Sequence, residues 1–256
     1  MSTAEVPGIA PESAGLSQGE RVVNTFVAPS KTFNDLRRNA SWWLPWLLLA
    51  IVSVIFINSV GRYVGFDQIA KNALAQSPKQ SDQFEKLPAD QQARQMQVRT
   101  AATRYISYAV PAIIVIAWLL IAGVLMGVFN LGLGTSVPYK IVLAIVVYSA
   151  LPAIIGSILA TISVIVGGTS GSLDREAFNI QNPVATNLAY FMDPMGNKFL
   201  YGMASAVNIF MIWGLVLMGI GFACNSKVKR GTAIWTVIVV YLVYKLIASG
   251  LGAAMS

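Results

Sequence analysis

Residues 141–166 read IVLAIVVYSALPAIIGSILATISVIV, an apolar run with no charged side chain and a single proline, Pro152. An α-helix rises about 1.5 Å per residue, so roughly 20 such residues cross a hydrocarbon core of about 30 Å. The run is long enough to span a bilayer, and it has counterparts. Residues 39–61, 105–139 and 199–226 carry no Asp, Glu, Lys or Arg, and 231–256 carries only Lys245. Charged residues make up 11% of the 256 and hydrophobic ones 55%, where a soluble domain carries about 25% charged. The pattern predicts an all-α fold, a polytopic transmembrane helical bundle with five spans at about 42–60, 108–129, 139–166, 202–223 and 232–251.

The same composition excludes function classes. There is no histidine, which removes the commonest general base and metal ligand. The lone cysteine, Cys224, excludes an intrachain disulfide, a thiolate zinc site and an iron–sulfur cluster. No phosphate-binding loop, dinucleotide fingerprint or nucleophile elbow is present. We expect no catalytic residue, no metal and no cofactor. The net charge of +7 is spread over flanks and loops, which points to topology and anionic lipid headgroups rather than nucleic acid.

Outward from the spans, residues 1–19 are rich in Gly, Pro, Ser and Ala and read as a flexible tail before a membrane domain at 20–255. Val22, Val23 and Phe26 fall at helical spacing, and Pro29-Ser30 interrupts them. Phe33 and Leu36 then share a face, with Lys31, Arg37 and Arg38 elsewhere. These pieces predict a short amphipathic N-terminal collar lying on the membrane surface, with an ordinary linker helix as the alternative. Trp42, Trp43 and Trp46 stand at the entrance of the first span, where indole rings favour the headgroup level. Residues 62–104, with seven basic and four acidic side chains, predict a helical excursion outside the bilayer. Pro152 should kink the third span. The Arg37-Arg38 pair and the Lys227-Val228-Lys229-Arg230 turn place the N-terminus in the cytoplasm and the C-terminus outside.

Three groups of residues are candidates for function. Phe26, Phe33, Arg37, Arg38, Trp42, Trp43 and Trp46 are candidates for membrane-surface or partner binding. Asn130, Asn208 and Lys245 could line a polar path. Lys245 is the sharpest anomaly, because a cation at membrane depth costs several kcal/mol unless it is paired or snorkels. It either reaches the far headgroups or faces inward towards Asp174, Glu176, Asp193 or an anionic ligand. Gly123-x-x-x-Gly127, Gly214, Gly219 and Gly221 are candidates for close helix packing.

Phe26-Val27-Ala28-Pro29-Ser30-Lys31-Thr32-Phe33, Ser41-Trp42-Trp43-Leu44-Pro45-Trp46, Val147-Tyr148-Ser149-Ala150-Leu151-Pro152, Asn182-Pro183 and the run from Phe210 to Gly221 occur in this order. Together they resemble the bacterial branch of the Yip (Ypt-interacting protein) domain family. The resemblance implies a five-helix integral domain with a cytoplasmic N-terminus, in a bacterial inner membrane. The Asp-Leu-Tyr-Gly-Pro signature of eukaryotic members is absent, so their Rab-type GTPase role is not carried over. The expected function is non-enzymatic: organising or shaping the membrane, or scaffolding partners. A passive transporter or channel for a small solute, ion or lipid is the alternative. The expected partners are membrane lipids, with a homo-oligomer or other membrane proteins also open.

Overall fold

The computed structural model describes residues 15–255, which form helices, turns and loops without a strand. The chain opens with two short helices, α1 (Gln18–Val27) and α2 (Pro29–Asp35). A capping box starts α1. The Ser17 Oγ accepts from the Glu20 amide at 3.2 Å, and the Glu20 carboxylate accepts from the Ser17 amide at 2.7 Å. Hydrogen bonding to the carboxylate, from the Ser17 amide first and the Ser17 side chain second, holds the Glu20 carboxyl below its ordinary value of 4.5. A lowered carboxylate pKa contributes stability that is present above the unfolded value and lost as pH falls through the native one. Ser17→Ala keeps the amide and removes the smaller, side-chain part, so the Glu20 titration, followed by its carboxyl carbon resonance, should move up part of the way towards 4.5; a titration that moved down would refute the capping-box account.

Helix α3 (Trp43–Tyr63) makes the first crossing and stops at Gly65, whose φ of 94° suits glycine. The excursion follows as α4 (Phe66–Ala75) and α5 (Pro78–Glu85). It is shorter than its polar sequence implied, because α6 (Ala89–Gly127) runs unbroken from the polar segment into the second crossing. Pro111 lies inside α6 without ending it. There the Trp46 indole N–H donates to the Pro111 carbonyl at 3.0 Å, fixing α3 against α6. A π-helical turn, Val128–Gly132, closes the helix.

The third crossing is divided into α7 (Tyr139–Ser149) and α8 (Ala153–Ser170). Between them, tighter three-residue bonds from the amides of Ala150, Leu151, Ala153 and Ile154 replace the α-helical ladder around Pro152. The loop after α8 is tied to the excursion. Asn72 donates to the carbonyls of Arg175 and Phe178 at 2.8 and 2.9 Å, and Arg175 donates to the Val64 carbonyl.

The fourth span corrects the expectation of one helix over 202–223. It is a short α9 (Lys198–Ala204), a break at 205–208, and α10 (Ile209–Asn225). The break has a local cause. Asn208 turns its side-chain oxygen onto the Phe210 and Met211 amides at 3.0 and 3.1 Å, starting a new helix where the old one would have continued. Helix α11 (Arg230–Met255) is the last crossing. Among the described residues four helical segments are long and apolar enough to span, and α10 is a shorter apolar fifth.

The core gathers around α7, whose residues 141–149 are all buried. Phe33 from α2 and Leu36 just after it, Trp118 and Leu125 from α6, Phe222 from α10 and Val237 from α11 surround it. Phe129 and Phe222 stack with ring centroids 3.7 Å apart. Glycines set the approach of α10 to its neighbours. A methyl group added at Gly214 would lie 2.7 Å from the Ser149 carbonyl oxygen, at Gly219 2.5 Å from the Ile234 Cα, and at Gly221 2.6 Å from the Ile145 side chain. Gly123 and Gly127 differ: nothing lies within 4 Å of a Cβ at either. They face away from the bundle, which corrects their assignment to packing within the chain.

Candidate functional site

Two places bring the candidate residues together, one at each end of the bundle. The first is the N-terminal hairpin. On a helical wheel Gln18, Arg21 and Thr25 share one face of α1, and Val23 and Val27 share the opposite one. In the structure this polar face is inside, flanked by Val22 and Phe26 on the core, and the exposed Glu20 shares the outward side with the valines. Arg21 and Thr25 are buried, while Val23 and Val27 are 60% and 74% exposed. A helix bordered by water turns its apolar side in; one bordered by lipid can turn it out.

The buried face is fully partnered. The Arg21 guanidinium meets the Asp35 carboxylate at 2.6 Å, with the two side chains only 3% and 9% exposed. It also donates to the Asn39 carbonyl at 2.8 Å. The Thr25 and Thr32 hydroxyls donate to the Arg21 carbonyl at 2.7 and 2.8 Å. From α7, the Tyr148 hydroxyl donates to the Gln18 side-chain oxygen at 3.1 Å. This polar seam locks α1 to α2 and both to the buried α7.

The hairpin is therefore part of the bundle, where a collar resting on the membrane surface was expected. Phe33 is 0% exposed and sits in the core, so it cannot be a membrane-surface residue. Its carbonyl accepts from the Asn225 side chain at 2.8 Å. Phe26 packs edge-on against Trp213 of α10 at 5.7 Å. Arg37 donates to the Cys224 carbonyl, and Arg230 to the Ser30 hydroxyl at 3.1 Å. Those bonds bring the end of α2 beside the turn between α10 and α11. Lys31, Arg37, Arg38, Lys227, Lys229 and Arg230 are all exposed there, making one cationic rim. Of the tryptophans, Trp43 is exposed and Trp42 and Trp46 are half-buried against the core.

Arg21, Asp35 and Tyr148 are the members of this seam that sequence reasoning missed. The wheel of α1 held the signal, since its only basic residue lies opposite the valines that face outward.

The second place is the break between α9 and α10. Its polar groups are satisfied internally. Asn208 donates to the Thr186 hydroxyl at 3.0 Å, and the Ile209 amide donates to the Thr186 carbonyl at 3.2 Å. Asn179 and Asn182 donate to the Tyr201 hydroxyl at 3.2 and 3.0 Å. Lys245 of α11 points here, and its ammonium donates to the Ser205 hydroxyl at 2.9 Å. It does not meet the loop carboxylates. Asp174 accepts from the Glu176 and Ala177 amides, and Asp193 from the Met195 amide.

Asn130 is elsewhere. Its side chain bonds Thr135 and both polar backbone atoms of Val137, closing the turn between α6 and α7. Asn130, Asn208 and Lys245 thus do not line one path. Among the described residues no group of three or more Cys, Asp or Glu could hold a metal ion.

The sequence that builds this bundle matches a known family model. The Yip1 domain model covers residues 23–251, nearly the whole chain. The chain belongs to the Yip1 domain family. The matched range begins inside α1 and ends near the close of α11, so the Yip1 domain includes most of the hairpin along with all five crossings. No curated protein and no solved structure matches the chain.

Proposed function

We propose that this Yip1-family protein is a non-enzymatic organiser of the bilayer, acting on the leaflet that holds its N-terminal hairpin. The observation that carries this reading is the outward placement of Val23 and Val27 on α1, with Arg21 and Thr25 inward. A helical hairpin seated in this way occupies one leaflet without crossing the other. Its volume displaces lipid on one side only, which favours bending towards the opposite side. The rim of Lys31, Arg37, Arg38, Lys227, Lys229 and Arg230 would gather anionic headgroups, at about 1 kcal/mol per basic residue near the surface. The excess of basic residues on this rim supports a cytoplasmic N-terminus, and the family resemblance supports a bacterial inner membrane.

The test is reconstitution into vesicles of mixed zwitterionic and anionic phospholipid, imaged by electron cryomicroscopy. The wild type should give smaller or tubulated vesicles. Val23→Asn with Val27→Asn should leave the fold intact, since both side chains point away from it, and return the vesicles to their protein-free shape. Vesicles unchanged by the wild type would overturn the reading, and solute leakage without deformation would favour a conduit.

A further inference from the structure

Lys245 lies 15 residues after Arg230, about 22 Å along α11 at 1.5 Å per residue. The rim residues Lys229 and Arg230 mark one headgroup layer, so Lys245 sits in the outer part of a core about 30 Å thick. Leu242, Tyr244, Leu246 and Ile247 around it are exposed on the lipid side of the helix. Its one partner among the described residues is the Ser205 hydroxyl, which itself donates to the Gly202 carbonyl at 2.7 Å. The end of α9 adds the partial negative charge of a helix C-terminus, which orients the ammonium without neutralising it. Two ammonium protons and a full charge are left over.

A half-buried cation in an apolar band needs a counter-ion. Asp174 and Asp193 of the loop are turned onto their own backbone, and among the described residues no carboxylate forms an ion pair with Lys245. The anion that a bilayer supplies at this level is the phosphate of a phospholipid, within reach of a snorkelling lysine. We infer that Lys245 and Ser205, at the break in the fourth span, form a binding site for the phosphate group of a phospholipid in the leaflet opposite the hairpin. The ammonium donates to a phosphate oxygen in a charge-assisted bond, and the acyl chains lie along the exposed face of α11. The inference requires only that α11 crosses the bilayer, and it stands apart from the bending proposed above.

Native mass spectrometry of the delipidated full chain tests it, with phosphatidylglycerol, the diacylglycerol of the same acyl chains, and inorganic phosphate as probes. The wild type should retain one phosphatidylglycerol preferentially. Lys245→Met should weaken that adduct by about tenfold or more, the loss of one charge-assisted bond, while Lys245→Arg keeps it. Ser205→Ala, which leaves the charge in place, should weaken it less. Equal binding by Lys245→Met with an unchanged helical spectrum, or equal binding of diacylglycerol, would overturn the site. Displacement of the lipid by inorganic phosphate would overturn its assignment to a phospholipid.

Discussion

Replacing Arg21 with methionine should destabilise the folded protein by about 3–5 kcal/mol, the cost of leaving one partner of a buried ion pair alone. Asp35 would keep its charge or its desolvated acid in a site only 9% exposed. The loss should show in reversible unfolding in detergent and in protease cleavage between α2 and α3. Because an apolar pair of similar volume can replace a buried ion pair at little cost, Arg21→Met with Asp35→Leu should recover most of the stability. If the single substitution were as stable as the wild type, the seam between α1, α2 and α7 would not be what holds the hairpin down. The double variant also separates charge from packing, since it removes both charges and preserves the bulk.

Gly219→Ala should be the most damaging single-methyl change in the spans. The added carbon would lie 2.5 Å from the Ile234 Cα and 2.8 Å from its amide nitrogen. Those are backbone atoms of α11, so relief requires moving a whole helix instead of rotating a side chain. Overpacking costs about 1–3 kcal/mol when side chains can adjust, and this site should reach the upper end or beyond. Gly123→Ala and Gly127→Ala provide the contrast. Neither would touch anything, and each should be neutral or stabilising by up to about 1 kcal/mol through helix propensity. A monomer melting temperature lowered equally by Gly127→Ala and Gly219→Ala would contradict this placement of the glycines.

The crossings were legible because the signal for a span is compositional. A charge-free run of about 20 residues survives any detail of packing. Pro152 was legible for a similar reason, since its missing amide breaks the ladder whatever surrounds it. The break at 205–208 was not, because Asn208 lies in a run whose apolar length favours one helix. Only the docking of the 179–187 loop, through Thr186, shows why a cap wins there. Phe33 was misread on related grounds. Apolar residues beside basic ones describe a surface helix equally well as one folded onto a protein, and the deciding contacts come from residues distant in sequence. Lys245 was legible as an anomaly; its partner was not, since Ser205 is one of many hydroxyls.

The bond between Asn225 and the Phe33 carbonyl joins residues 192 apart in the chain. At a synthesis rate of about 5–20 residues per second, α2 would wait roughly 10–40 s for the helix it packs against. An early-made segment thus completes its packing late: the Arg21–Asp35 pair needs only residues 21–39 and the Gln18–Tyr148 bond only α7, but the Phe33 carbonyl waits for Asn225. Its final seating is gated by the emergence of α10, so a ribosome stalled before residue 225 should hold a chain whose N-terminal hairpin is more open to protease than in the finished protein.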